Sequence, residues 1–372
     1  MSLRMIETAS RLHDPARNCP LCGRKYGRVA QTEEHIFPLW LQHRHNLLTQ
    51  TIHIPNGITK RYNSVKLEIC QKCNNERFGE LEQRISAAAN FPSGAFQGLE
   101  SVSDAELAVW LGKIFLLLNR KSGSYQDFRL RDAPEKDTVL PKELQPGFGY
   151  LGVLLNAYAL NKGCYSCYLD DPAWPALYGP PFSLYRFRID TRSTHGAYDY
   201  SDNAIGLSAA IRFDDIGLIC LFDGGLWRRW LGYRTEFIGD KPLHPVQFRE
   251  LAALMYYDQS VLDPSARGVQ YYWNRPLNSV IAQTMVPRFL NPYRDEHHDP
   301  ERRLACVAHY TGVKLDALRG DAPGEIRSTL FNEDGSFFSY PVTENEIASL
   351  PSNAIHLPPG QRQKGWRAAE NQ

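Results

Sequence analysis

The chain has 372 residues, 43% hydrophobic and 22% charged, with a formal net charge of only +1. That is length for two or three domains with ordinary cores, and the near-balance of charge by itself gives no reason to expect a polyanionic partner. Met1 to Asp14 lack a signal-peptide run and no stretch approaches the roughly 20 apolar residues of a membrane span, so a cytoplasmic protein is expected, with no membrane partner.

Residues 1–16 read as a lead-in. The next unit runs from about Arg17 to about Ala89 and ends in a helix starting near Cys73, because Phe78, Leu81 and Ile85 recur at spacings of three and four. Pro92, Gly94 and Gly98 then predict a linker over 91–102. Ser103 with Glu106 three residues on is a capping-box pattern leading into Leu107–Leu118, a helix apolar nearly all round and therefore a buried central one. Asp127 to Pro146 is charged and reads as an exposed loop. Strands are expected at Tyr150–Leu160, Ser183–Asp190, Ala204–Phe213 and Ile216–Phe222, with Asp223-Gly224-Gly225 turning into a further strand over Leu226–Leu231. Helices follow at Pro245–Asp258 and near Glu301–His309, and the tail after Leu357 has the composition of a disordered segment. The fold class is thus α+β: residues 1–90 as a small stapled domain, 91–102 as linker, 103–356 as a larger mixed α+β domain for recognition, sensing or assembly, and 357–372 as a tail.

Eight cysteines in a chain this long do not call for disulfides, but four of them fall in ligand spacing. Cys19/Cys22 and Cys70/Cys73 are two Cys-x-x-Cys pairs, each able to give two thiolates from one turn, and together they suit a closed structural zinc site. The 47 residues between Cys22 and Cys70 exceed the length of a simple zinc ribbon and contain Glu33-Glu34-His35-Ile36-Phe37-Pro38. Residues 1–90 carry 13 Lys+Arg against 8 Asp+Glu, so the basic side is the motif side. A carboxylate, an imidazole and an amide on a metal-stapled frame point to metal-dependent phosphodiester hydrolysis. A purely zinc-hydrolase reading fails because an all-sulfur site leaves no open position for water.

The order Cys19-Pro20-Leu21-Cys22, then Glu34-His35-Ile36-Phe37-Pro38, then Cys70-Gln71-Lys72-Cys73-Asn74 resembles the HNH endonuclease family, the ββα-metal fold, in its zinc-stapled form, over residues 17–85. The resemblance implies a DNA nuclease in which His35 is the general base. Glu34 and Asn74 would hold a catalytic divalent ion, Mg²⁺ or Mn²⁺, separate from the zinc. Asn74 stands where the family often has His, which makes this a His-Asn-Asn variant. By the resemblance Asn63 would be the middle Asn that orients the histidine, with Asn56 as the alternative, and Asn75 and Glu33 compete for the ligand positions. On a regular strand Glu34 and His35 point to opposite faces, so they serve one site only at a strand end or bulge. Lys60, Arg61, Lys66 and Lys72, interleaved with Tyr62, are the candidate nucleic-acid backbone contacts. A non-catalytic zinc module that binds nucleic acid, or a nuclease acting on RNA, are the rival expectations. Restriction or anti-phage defence is the setting suggested by analogy.

The remaining signals read as structure. His43, His45 and His53 are expected at the surface, and Trp40 and Leu41 in packing under the site. The lone pair Cys164/Cys167 reads as packing rather than metal, and Tyr256-Tyr257 and Tyr271-Tyr272-Trp273 as core or interface rather than base-stacking platforms. No role is assigned to His297-His298-Asp299.

Overall fold

The computed structural model describes residues 4–5, 17–54, 58–123, 149–168, 179–192, 197–228, 235, 238–261, 269–284, 299–320, 326–332, 336–338 and 362–363. The chain is mixed α+β, with helices and several small sheets. It forms two compact units. One comprises Met1–Ser183, Phe222–Gly225 and Pro264–Phe289, the other Leu184–Leu221, Leu226–Asp263 and Leu290–Gln372. The units do not divide at the expected linker: residues 91–102 lie inside the first one and contain a short helix, Ala95–Leu99.

Within the first unit, strand β1 (Arg4–Met5) belongs to a sheet described below. Strand β2 (Gln31–His35) pairs antiparallel with β5 (Lys66–Cys70), in a register that sets His35 against Lys66 and Gln31 against Cys70. The loop between them holds helix α1 (Leu39–Arg44) and a small hairpin of β3 (Thr51–His53) with β4 (Thr59–Arg61). Leu41 is fully buried and Trp40 stacks on Trp110 with ring centroids 6.2 Å apart, as the packing role for this segment requires. After β5 the chain winds through a π-helical stretch, Lys72–Phe78, into helix α2 (Gly79–Ala89). Phe78, Leu81, Ile85 and Ala89 form its buried face, the periodicity anticipated from sequence. Gly79 stands five residues after Asn74, the spacing a π turn closes, and a Cβ there would lie 2.7 Å from the Asn74 carbonyl oxygen.

Helix α3 (Ala95–Leu99) packs backbone to backbone on α2, since a Cβ on Gly98 would meet the Ala88 carbonyl oxygen at 1.9 Å. Helix α4 (Asp104–Gly123) starts with the expected capping box: the Glu106 N–H donates to Ser103 Oγ at 3.2 Å and the Ser103 N–H to the Glu106 carboxylate at 3.3 Å. Every residue from Leu107 to Asn119 is buried, which makes it the central helix of this unit rather than of a separate downstream domain.

The segment Tyr150–Leu160, expected as a strand, is helix α5 (Gly149–Ala159). Its run of Leu, Val, Ala and Tyr is apolar on all sides, so periodicity cannot separate buried helix from buried strand, and β-branched content was the wrong arbiter. β6 (Gly163–Tyr168) follows and carries Cys164 and Cys167. Cys164 packs against the cluster of Tyr150, Val153, Ala157, Val280 and Ala282, and burial pushes its thiol up to about 12, in keeping with packing rather than ligation. β6 runs parallel to β12 (Ser279–Thr284), which pairs antiparallel with β11 (Val269–Asn274), and β1 closes that sheet.

The second unit contains a sheet in the order β7 (Ser183–Arg188), β10 (Ile216–Leu221), β9 (Ser208–Phe213), β8 (Tyr198–Asn203). All residues of β9 and β10 are buried, so the hairpin is covered on both faces. The expected strand start at Ala204 is corrected: residues 204–207 turn, with Leu207 left-handed at φ 48°. Leu226–Arg228 is helical where a strand was expected, and 229–231 lie outside the described residues. Helix α6 (Pro245–Ser260) is capped by His244 and Gln247, and α7 (Pro300–Thr311) by Asp299, whose carboxylate accepts from two backbone N–H groups. Tyr256 and Tyr257 are core residues of α6. Among the described residues no helix is long and apolar enough to cross a membrane. The expected loop at Asp127–Pro146, His297-His298 and nearly all of the tail lie outside the described residues.

Candidate metal centre and acidic site

The four cysteines converge. The sulfurs of Cys19, Cys22, Cys70 and Cys73 all lie within 4.8 Å of one another, and all four residues are buried. A tetrahedral zinc with bonds of about 2.3 Å sets its sulfurs about 3.8 Å apart, and Cys22 and Cys70 are separated by 3.6 Å. The Cys70 N–H points at Cys19 Sγ at 3.4 Å, a donor that stabilises a thiolate. As bare thiols the group is frustrated: S–H donors lower Cys19 and Cys70, while Cys22 and Cys73, which hydrogen-bond to Cys19, are raised. A bound dication removes that conflict by holding all four as thiolates. The residues present fit a structural zinc, with β5 bringing Cys70 to the N-terminal knuckle through its register and the π-helical turn presenting Cys73.

His35 ends β2, and strand alternation places it on the same face as Glu33 and opposite to Glu34. Glu33 forms an ion pair with Lys66, the cross-strand neighbour of His35, at 3.4 Å. The imidazole is half-exposed and its pKa is lowered, first by burial and then by the Lys66 ammonium, with Glu33 opposing. It is therefore neutral near pH 7, the state in which it accepts a proton.

Glu34 turns into the protein, 8% exposed. There it meets Lys113 of α4, whose ammonium bonds both Glu34 and Glu82 of α2 and is itself 1% exposed. Asn74 joins the group: its amide donates to the Glu33 carbonyl oxygen at 3.5 Å and lies near enough to the Glu34 carboxylate to oppose the rise in its pKa. The partners do not gain equally. The Lys113 ammonium, which burial alone would discharge, is held charged by two carboxylates, whereas Glu34 shares one ammonium with Glu82 and its pKa stays raised by burial. Glu34, Glu82 and Asn74 are hard oxygen donors of the type Mg²⁺ or Mn²⁺ takes, but Oε1 of Glu34 is already engaged by Lys113.

Thus Glu34 and Asn74 are brought together, and His35 sits on the adjacent residue facing the other side of the strand. Asn63 lies exposed in the turn Tyr62–Ser64, Asn75 is exposed on the π-helical stretch, and Asn56 is outside the described residues. Among the candidate backbone contacts, Arg61 is exposed and Lys60 half-buried on β4, Lys72 pairs with Glu76 at 3.8 Å, and Lys66 serves Glu33. His43 is exposed, and His53 exchanges a 2.8 Å hydrogen bond with Thr59. Lys113 and Glu82 were missed from sequence. The signal was present, because one lysine in the otherwise apolar run from Leu107 to Leu118 demands buried carboxylates. Compared with known proteins, the chain matches no family model, no curated protein and no solved structure.

Proposed function

We propose that the N-terminal part of the chain is a metal-dependent endonuclease of HNH type that hydrolyses phosphodiester bonds in DNA. The observation that carries this reading is the strand-strand-helix order in which a neutral His35 ends the first strand while Asn74, at the start of the helix, meets Glu34 next to it. His35 takes the proton of the attacking water, and the partly exposed end of β2 gives substrate access to it. Glu34 and Asn74 would hold a divalent ion that supplies charge neutralisation at the scissile phosphate; because His35 faces the other side of β2, both reach one phosphate only at the strand end, which His35 forms. Lys113 orients Glu34 and opposes the rise in its pKa that burial causes. The zinc staple fixes the ends of the loop that carries His35. A setting in restriction or anti-phage defence rests on analogy with nucleases that carry a second unit.

One observation favours the rival, a zinc module that binds nucleic acid without cutting it: the ammonium of Lys113 already fills the space between Glu34 and Glu82. Incubation of the protein with plasmid DNA and, in parallel, RNA, in Mg²⁺ and Mn²⁺, separates the two. Cleavage that falls by at least about 100-fold in His35→Ala, at unchanged zinc content, supports the nuclease. Binding with no cleavage in either metal supports the rival, and cleavage of RNA alone reassigns the substrate.

A further inference from the structure

A second feature of the first unit is a cleft of about 820 Å³ beside the N-terminal zinc knuckle, walled by Asn18, Arg24, Lys25 and Arg28 on one side and by Asn156 and Leu160 of the α5 region on the other. Three cations line it and no carboxylate does. None of the three forms an ion pair among the described residues. Asn156 is only 5% exposed, and its Nδ2 is a buried donor without a hydrogen-bond partner. A buried polar group left unpaired calls for a partner, and for one in the wall of a cationic cleft an anionic acceptor entering that cleft would supply it. The χ2 torsion of an asparagine amide is broad, so the N–H is free to turn toward such an acceptor. The wall is held in place: Arg77, from the π-helical stretch, donates to the Tyr158 carbonyl oxygen at 3.3 Å and to Asn161 Oδ1 at 2.8 Å, fastening the end of α5.

We infer that this cleft seats a backbone phosphate of a nucleic acid, with Arg24, Lys25 and Arg28 neutralising it and the Asn156 amide donating to one of its oxygens. The inference rests on the nucleic-acid partner proposed above, but not on hydrolysis. A zinc tetrathiolate next to the cleft would carry −2, so three cations would leave a surplus of one positive charge even after compensating it. Val29 lines the cleft two residues before β2, which ends at His35, so at roughly 3.3 Å per residue the chain path between them is about 20 Å at most. That spans no more than about six base-pair steps at about 3.4 Å each. The cleft is therefore a remote anchor that sets where the strand end meets the duplex, and it adds a basic patch that the residues Lys60, Arg61, Lys66 and Lys72 do not include.

The test is the affinity of the full chain for a labelled 20-base-pair duplex (a length of about 20, well beyond the six-step path) without added divalent ion, as a function of salt. Expected for Arg24→Ala/Lys25→Ala/Arg28→Ala is at least a tenfold weakening for any sequence, and a salt slope shallower by about two to three. Asn156→Asp, which leaves the knuckle cations in place and puts a carboxylate in the wall, weakens binding by a similar factor. Zinc content measured on each variant separates anion binding from compensation of the thiolates: if the triple variant loses zinc, Asn156→Asp alone decides. Unchanged affinity and slope in the zinc-loaded variants overturn the inference. So does displacement of the duplex by millimolar inorganic phosphate at constant ionic strength, which would mark a site for the free anion. Duplex binding that these variants weaken, in a protein that cuts nothing, leaves the anchor standing and defeats the nuclease reading.

Discussion

Lys113→Met tests the acidic site most directly, because methionine keeps much of the lysine stem and removes only the ammonium. That ammonium lies inside the protein between Glu34 and Glu82, 5.9 Å from the Phe78 ring centroid, and no other cation is shown bonding the Glu34 carboxylate. Removing one partner of a buried ion pair leaves the other charge uncompensated, at a cost of about 3–5 kcal/mol. The total stability of a domain is only about 5–15 kcal/mol, so the variant should lose a large fraction of it. For a unit of this size each kcal/mol is worth about 2–4 °C, so the melting temperature should fall by about 6–20 °C. The loss depends on pH with a definite sign. Without Lys113, the folded-state pKa of Glu34, already raised by burial, rises further above its unfolded value. A carboxyl raised in this way binds its proton more tightly when folded, so stability decreases as pH rises above the unfolded value of about 4.3. The deficit of Lys113→Met relative to the parent should therefore shrink toward pH 5 and be largest near pH 8. Urea denaturation at several pH values measures it. Adding Glu34→Gln to Lys113→Met should recover more than half the loss, since a neutral amide no longer requires the ammonium. A loss under about 1 kcal/mol, or a deficit that grows as pH falls, would refute the assignment of Lys113 as the counter-ion of Glu34.

Three further outcomes follow from particular contacts. The His35 imidazole should titrate below its ordinary 6.5 in an NMR pH series, and Lys66→Met should move the midpoint up while Glu33→Gln moves it down; no response to either variant would separate the ring from that pair. Asp202, in the second unit, has a carboxyl that burial raises to about 7 against the opposing Tyr200 hydrogen bond. The folded protein then holds this proton more tightly than the unfolded chain, so stability should fall as pH rises from about 4 to 7 by at most about 4 kcal/mol and level off above it. Asp202→Asn should flatten that profile, and a parent with no slope there would contradict it. Gly98→Ala should destabilise by about 1–3 kcal/mol or more, since the new Cβ would overlap the Ala88 carbonyl oxygen at 1.9 Å. Gly27→Ala has open space around its Cβ and only the left-handed φ of 72° to oppose it, so it should cost about 1 kcal/mol. Equal denaturant midpoints for the two alanine variants would count against the close approach of α3 to α2.

What was legible in the sequence is what local physics decides. Paired cysteines at ligand spacing, the Ser103 and Glu106 capping box and the apolar stripe of Phe78, Leu81 and Ile85 all concern residues within a turn or two of one another, and each is found where expected. The misreading of Tyr150–Leu160 has the same origin in reverse, because a segment buried on all sides loses the periodicity that tells helix from strand. Long-range pairings were hidden. Nothing near Glu34 announces a partner 79 positions away, and the motif residues alone left the question of what balances a carboxylate turned inward.

The lone lysine of α4 carries more information than the motif about how this unit is built. A helix buried on every side tolerates a charge only where opposite charge reaches it, so Lys113 forces α4 to pack where acidic side chains are buried. Glu34 on β2 and Glu82 on α2 meet that demand. This requirement is enough to join the capped helix after residue 103 to the cysteine-bearing strands, and it explains why the chain does not divide at 91–102. It also ties the proposed function to stability. Any divalent ion that takes Glu34 must share the carboxylate with an ammonium whose own burial depends on it, so metal affinity and the fold of the central helix cannot be tuned separately.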